Sequence, residues 1–272
     1  MDQRLPPTPD EPGQFEDDPY ARSILLGTNS IMRAGRQFFR RLPSGPRCKL
    51  CASPFSSIGG AAMRVVGKGP WPNNPSICAM CWKDMVKHKG GAEIECSLLF
   101  ADVRGSTTLA EGMRPGEFKR LMSTFFIAAT DILVTHEAIV DKFVGDEIIG
   151  IFVPGLTGND HSQKAIDAGR ELLRVAREVL DLPIGAGVHT GLAYVGTVGD
   201  GPMADFTAMG DAVNVTARLA SAARAGELLV TAAALTSAGI DATALERRSL
   251  ELKGKTELVE VAVFAESDAI PA

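Results

Sequence analysis

Beyond residue 91 the apolar positions alternate between two periods, and that alternation predicts the order of the elements. Ile94–Val103 is a near-continuous apolar run of strand length. Pro115–Thr135 carries Phe118, Leu121, Met122, Phe125, Ile132 and Leu133 at three- and four-residue intervals, the spacing of one helix face. Ile139–Phe143 and Glu147–Phe152 read as a hairpin around Val144-Gly145-Asp146. A second helix is expected over Ser162–Leu180, on Ile166, Leu172, Leu173, Val175, Ala176 and Val179. Ile184–His189 and Ala193–Val198 read as a further hairpin and Asp211–Ala223 as a third helix. Leu228–Thr231, Arg248–Leu252 and Val259–Phe264 read as late strands. Strand–helix–strand–strand–helix–strand is the ferredoxin-like (βαββαβ) order, so the predicted class is α+β. One face of the sheet lies under the helices, and loops at one rim are left for chemistry.

The front of the chain follows other patterns. Residues 1–19 are acidic, Pro-rich and poor in apolar side chains, and are expected to be disordered. Residues 20–43 read as one amphipathic helix, on which Ile24, Ile31 and Phe38 recur every seven residues, as do Leu25, Met32 and Phe39. Arg33, Arg36, Arg40 and Arg41 lie largely off that stripe, Gly27 and Gly35 interrupt it, and Pro43 ends it. Such a helix has three uses: packing on the adjacent module, pairing with its copy, or lying on a membrane. Packing is the favoured one. Residues 44–90 hold Cys48-Lys-Leu-Cys51, a spacer of 26 residues, and Cys78-Ala-Met-Cys81. Two CxxC pairs offer four thiolates, the set of a closed structural zinc site, with an iron–sulfur cluster as the less favoured alternative. The Gly- and Pro-rich spacer is expected as a loop or small hairpin. Cys96, inside the next strand, is expected as a buried core thiol. Residues 91–266 form the large domain.

Composition and charge sharpen this division. Among 272 residues, 45% are hydrophobic and 22% charged, a globular balance, and no run reaches the length of a membrane span. The acidic start does not read as a secretory leader, so the expected location is the cytoplasm, and the five cysteines then read as a metal site rather than a disulfide framework. The net charge of −5 hides an asymmetry: residues 20–92 carry twelve Lys or Arg and one acid, while everything beyond carries fifteen bases and twenty-six acids. A basic front half is suited to an anionic surface or to its own acidic neighbour. Aromatic residues are few there (Phe55, Trp71, Trp82), and nucleic-acid binding is not favoured.

The chemistry concentrates in two segments. Ser97–Leu109 and Ile139–Phe152 each run through apolar residues to one acid, Asp102 and Asp146. The first breaks at once into Gly105-Ser106-Thr107-Thr108, small residues whose amides can face an anion. Either aspartate alone reads as a solvated strand end. Two carboxylates beside such a turn are what a divalent cation holding a polyphosphate needs.

With Phe100-Ala-Asp102-Val-Arg-Gly105-Ser-Thr107, Lys142-Phe-Val-Gly145-Asp146-Glu and Met209-Gly-Asp-Ala-Val-Asn214-Val-Thr-Ala-Arg218-Leu in order, residues 94–265 resemble a class III nucleotidyl cyclase domain. The resemblance implies that Asp102 and Asp146 bind two Mg²⁺ or Mn²⁺ ions per active site. It places the backbone around Val103, Gly105, Ser106 and Thr107 at the metal and triphosphate, and Lys255 on the triphosphate. Lys142 and Thr207 fall where the family reads the purine. Asn214 and Arg218 match the pair that orients the ribose and stabilises transition-state charge. The implied reaction is attack of the ribose 3′ oxygen on the α-phosphate, releasing pyrophosphate. Guanylyl cyclases of the family carry an acid and a Cys at the purine positions, so the Lys/Thr pair points to ATP. Thr207 departs from the commoner Asp, and a hydroxyl that can also donate weakens selection against GTP. The resemblance further implies a head-to-tail homodimer with sites between its two domains.

Independent chemistry agrees. Phosphoryl transfer needs chiefly positioning and charge neutralisation, and Asn214 and Arg218, four residues apart, share a helix face. The expectation is a metal-dependent, homodimeric adenylate cyclase with a regulatory or dimerising zinc module. The alternatives are a catalytically inactive nucleotide-sensing or scaffold domain, and a nucleic-acid-binding regulator built on the zinc module. A diguanylate cyclase also places Gly-Asp-Glu on a hairpin, but the Asn214/Arg218 helix does not fit it.

Overall fold

The structure is a computed structural model and describes residues 17–41, 46–72, 74–87, 90–199, 205–252 and 258–265. Where the apolar spacing predicts one N-terminal helix there are two, α1 (Pro19–Leu25) and α2 (Ser30–Arg40). Gly27 takes a left-handed φ of +68° and breaks the run, and Asn29 caps α2 by accepting from the Met32 N–H at 3.0 Å. The heptad stripe divides accordingly: Ile24 and Leu25 are buried, whereas Ile31 and Phe38 are 79% and 60% exposed. The predicted tail boundary also moves. Asp18 caps α1 through Tyr20 N–H, and its own N–H donates to Gly91 O at 3.0 Å, so residues 17–19 belong to the fold.

The four-cysteine module follows as α3 (Ser57–Val65), the hairpin β1 (Pro70–Trp71) and β2 (Asn74–Cys78), and α4 (Ala79–Lys87). The small hairpin is as predicted, but the spacer also builds a helix. The large domain runs β3 (Gly91–Val103), α5 (Ser106–Gly112), α6 (Pro115–Thr135), β4 (Ile139–Val144), β5 (Glu147–Phe152), α7 (Pro154–Thr157) and α8 (His161–Val175). It continues with β6 (Ile184–Val198), β7 (Asp205–Met209), α9 (Asp211–Ala222), β8 (Glu227–Thr231), α10 (Ala232–Ala238), β9 (Glu246–Leu250) and β10 (Val259–Ala265). The helix predicted to reach Leu180 ends as α8 and a π turn over Ala176–Leu180.

Among the described residues the main sheet has the order β4-β5-β3-β6-β8-β10-β9, and β7 folds back antiparallel on β6. Its first four strands are the ferredoxin-like arrangement, and β8 extends it parallel to β6. Alternation along β3 builds two cores at once. Leu99, Ala101 and Val103 join Phe125 and Leu133 of α6 and Ile166 and Leu172 of α8 in one buried cluster. Ile94, Cys96, Leu98 and Phe100 join a second, shared with Ile24 and Leu25 of α1, Leu50, Phe55 and Ile77 of the module and Ala212 of α9. The cysteine module is therefore packed on the sheet face opposite α6 and α8. Tyr20 hydroxyl to Asp84 and the Lys49–Glu137 ion pair (2.9 Å) reinforce that contact. Among the described residues no helix is long and apolar enough to cross a membrane.

Candidate active site

The acids arrive from neighbouring strands. β3 carries Asp102 near its end, in register with Glu147 of β5, and the β4–β5 turn passes through Gly145 and Asp146. Gly145 has φ +65°, a conformation that L side chains rarely adopt, and this makes the turn tight enough to present Asp146 beside β3. Asp102, Asp146 and Glu147 thus form one acidic cluster. Burial, then the facing Asp146 carboxyl, push Asp102 up to about 6 against the opposing Arg104. Burial and the charges of both aspartates push Glu147 up to about 7. Burial works against the Asp146 carboxylate too, but Asp102 and the Ser106 hydroxyl outweigh it and hold it below the ordinary range. Arg104 pairs with Asp102 Oδ2 and donates to Ser221 O at 3.1 Å. Asp102 Oδ1 is buried and has no hydrogen-bond partner among the described residues. Crowded carboxylates and an orphaned buried oxygen are a donor set that fits Mg²⁺ or Mn²⁺.

Next to these acids Gly105, at φ +69°, starts α5, so the predicted turn is the entry to a short helix. The first-turn amides of Ser106, Thr107 and Thr108 have no intrahelical acceptor. Val103 itself is buried in the core.

A second cluster joins β4 to β7. Thr207 Oγ1 donates to Asp141 Oδ2 at 2.7 Å, and Lys142 Nζ donates to Asp205 Oδ2 at 2.6 Å while lying 3.5 Å from Asp141 Oδ1. Burial disfavours the Lys142 cation, but Asp205 and Asp141 outweigh it and raise its pKa. The structure therefore brings Lys142 and Thr207 together, as it does Asp102 and Asp146, but among the described residues no hydrogen bond or ion pair joins the two clusters.

Asn214 and Arg218 lie on α9, the first exposed and the second half-buried. That helix rests on glycines of β6. A Cβ at Gly187 would meet Leu219 Cβ at 2.5 Å, and one at Gly185 would meet Ala223 O at 2.9 Å. Lys255 lies outside the described residues. Sequence reasoning missed Glu147, Arg104, Asp141 and Asp205 as members of these clusters. Gly-Asp-Glu and Asp-Lys are written in the chain, so Glu147 and Asp141 had a local signal, whereas Asp205 had none.

Away from these clusters, Cys48, Cys51, Cys78 and Cys81 converge with their sulfurs within 4.8 Å of one another. Cys51 and Cys78 Sγ are 3.8 Å apart, the separation that a tetrahedral site with metal–sulfur bonds of about 2.3 Å requires. Hydrogen bonds from Cys48, Cys78 and Cys81 pull the Cys51 thiol far down, and Lys68 Nζ lies 3.9 Å from its sulfur. All four are buried and free of disulfides, so the donor set fits a structural Zn²⁺. Burial pushes Cys96 up to about 12, as an inert core thiol.

The family model of the adenylate and guanylate cyclase catalytic domain matches residues 91–264. Adenylate cyclase 1 of Rhizobium meliloti is 30% identical over 134 residues, which cover 46% of this chain and 20% of that one. Among solved structures, the guanylyl cyclase Cya2 is similar at 26% identity and a TM-score of 0.60, covering 64% of this chain and 93% of the other. The adenylyl cyclase CyaB from P. aeruginosa is similar at 25% identity and a TM-score of 0.60, covering 65% and 97%. The chain spans about a third or less of the length of the curated relatives it matches.

Proposed function

As the chain belongs to the adenylate and guanylate cyclase catalytic-domain family, we propose that it is an adenylate cyclase, converting ATP to 3′,5′-cyclic AMP and pyrophosphate in a head-to-tail homodimer. The observation that carries the choice of ATP is the Lys142–Thr207 cluster, an ammonium and a hydroxyl that β4 and β7 bring together through Asp141 and Asp205. They suit the N1 acceptor and N6 donor of adenine, whereas guanine offers an N1–H donor and an O6 acceptor.

Asp102 and Asp146 would hold Mg²⁺ or Mn²⁺, which lowers the pKa of the attacking hydroxyl and balances charge on the phosphates. The chain's own groups do the positioning. Amides of Ser106 and Thr107, with Lys255, meet the triphosphate, Asn214 orients the ribose, and Arg218 neutralises charge at the α-phosphate. The 3′ oxygen forms the new bond to the α-phosphorus as the bond to pyrophosphate breaks. That among the described residues no hydrogen bond or ion pair joins the acidic and purine clusters supports sites completed by a second copy. In the same reading the Cys48–Cys51–Cys78–Cys81 site holds structural zinc, the module is regulatory or dimerising, and the protein works in the cytoplasm.

The test is cyclisation of ATP and of GTP with Mn²⁺ and with Mg²⁺, alongside Asp102→Ala and Arg218→Ala. Cyclic AMP is expected from the parent, a loss of at least about a hundredfold from each variant, and partial recovery when the two are mixed. No product from either nucleotide in a zinc-loaded dimer sinks the enzymatic reading. Failure of the mixture to recover sinks the shared site alone.

A further inference from the structure

A hydroxyl can donate one proton or accept through two lone pairs, so a threonine at the purine edge is ambiguous until its proton is assigned. Here the assignment is set by a residue outside the family's motif. Asp141 immediately precedes Lys142, and its side chain is only 4% exposed. Its Oδ2 accepts from Thr207 Oγ1 at 2.7 Å, well within hydrogen-bond range. Among the described residues the other group within reach of that hydroxyl proton is Ala208 O at 3.4 Å, which also can only accept. The Thr207 proton is therefore committed inward, and a ligand meets lone pairs. Lys142 stands beside it with its ammonium 3.5 Å from Asp141 Oδ1 and bonded to Asp205, which orients it and leaves donor capacity for a ring acceptor.

We propose that Asp141 is a specificity-determining positioning residue: it fixes Thr207 as an acceptor, so that the site takes a 6-aminopurine nucleotide and refuses a 6-oxopurine one. This rests on the reading of Lys142 and Thr207 as the purine contacts. A 6-amino group donates into the Thr207 lone pairs while N1 accepts from Lys142. A 6-oxo group sets lone pair against lone pair, and its N1–H points at an ammonium. A site built to pair one hydrogen-bonding edge rejects the reversed edge strongly, because buried partners are then left unmet. Burial holds the Asp141 carboxyl above its ordinary value, with the charge of Asp205 adding to it, while the Thr207 hydroxyl and the Lys142 ammonium beside it stabilise the ionised form. Asp141 thereby removes the ambiguity that Thr207 would otherwise bring in place of a carboxylate.

Asp141→Asn in the full chain tests this with little change of volume. The new amide has two N–H donors, so it can donate to Thr207 and release the hydroxyl proton towards O6. ATP and GTP are competed against a fluorescent ATP analogue in the presence of Mn²⁺, and kcat/KM is measured for both. Discrimination is expected to fall by about tenfold or more, carried by KM and by affinity, with GTP gaining as ATP loses. Thr207→Val, which deletes the hydroxyl, is expected to weaken ATP and to help GTP less than Asp141→Asn does, since it removes the clash without supplying a donor. Parallel losses for both nucleotides in Asp141→Asn would reduce Asp141 to a tie between strands and overturn the proposal. Should that variant fail to fold, the parent protein still decides by its ranking of ligands. ATP is expected above purine riboside triphosphate, which lacks a 6-substituent, and that above inosine triphosphate; inosine triphosphate equal to or above the unsubstituted analogue overturns the proposal. Binding selectivity without turnover leaves the proposal standing and sinks the cyclase reading. Equal use of ATP and GTP does the reverse.

Discussion

Burial first, then charge and hydrogen bonding, decide the balance at Asp102, Asp146 and Glu147. Their neighbours are one arginine and one another, and two of the three carboxyls are raised, Asp102 to about 6 and Glu147 to about 7. An acid whose folded pKa exceeds its unfolded one binds more protons in the folded state. Its contribution therefore falls as pH rises from the ordinary value, here 3.8 or 4.5, through the folded value. Without divalent ions the protein should melt at progressively lower temperature between about pH 4 and 7. Glu147→Gln should flatten that slope and raise the melting temperature at pH 8 by roughly 2–4 °C, the shift that about 1 kcal/mol gives in a domain of this size. Added Mn²⁺ should produce a similar rise in the parent by occupying the cluster. Melting curves across pH check this, and an identical slope in Glu147→Gln would refute it. Asp102 and Asp146 were legible in the chain because each closes an apolar run near a glycine, whereas Glu147 was not singled out. The partnership of Asp141 with Thr207 was not, since 66 residues and two strands separate them and only the fold of β7 onto β6 brings them together.

Among the elements, α9 depends closely on a neighbour's side-chain size. Gly185 and Gly187 present bare backbone to its last turns, where an added Cβ at Gly187 would also lie 2.7 Å from Ala220 N. Gly187→Ala must push the helix away, at about 1–3 kcal/mol for overpacking. Asn214 and Arg218 move with it, and cyclisation should fall by about tenfold or more, while Gly116→Ala, where nothing lies within 4 Å, should change neither stability nor rate appreciably. Thermal melting beside rate measurement checks both, and a fully active Gly187→Ala would show that α9 need not be so closely placed. A third glycine of β6 explains a misread element. Ile184–Val198 is one strand of fifteen residues rather than a hairpin, because Gly191 accommodates Ala212 of α9 (3.3 Å from its built Cβ) and makes no turn. Glycine as a turn signal and glycine as room for a helix look alike in sequence. The helices α5 and α10, each of seven residues, escaped because two turns are too few to show a period. The βαββαβ order was legible, since each of those helices and strands is long enough to carry its own.

Over the whole molecule, the cysteine module and the catalytic sheet share one buried cluster, so the module's metal should govern more than the module. Trp71 stacks on Trp82 with centroids 5.6 Å apart, and Trp82 meets Phe206 edge-on at 5.7 Å. Phe206 immediately precedes Thr207 on β7, and Trp82 follows Cys81 on α4, so a path of packed rings runs from the sulfur cluster to the Lys142–Thr207 cluster. On the other flank Glu137 joins Lys49 of the module to Lys164 of α8. Four buried sulfurs deprived of a cation would have to be protonated or separated, and the turn, strand end and helix that carry them would move. Stripping the metal with a chelator should release about one Zn²⁺ per chain, lower the melting temperature of the catalytic domain by at least about 5 °C and raise KM for ATP. The Asp102 and Asp146 cluster, which among the described residues no such path of rings reaches, should keep its affinity for Mn²⁺ more nearly intact. Trp82→Ala with the metal in place should reproduce the KM effect, because it cuts the same path without touching a sulfur. Metal release that leaves both melting and KM unchanged would mean that the module rides on the sheet without bracing it. A rise in KM with chelation but none in Trp82→Ala would instead move the coupling to the Lys49–Glu137–Lys164 side.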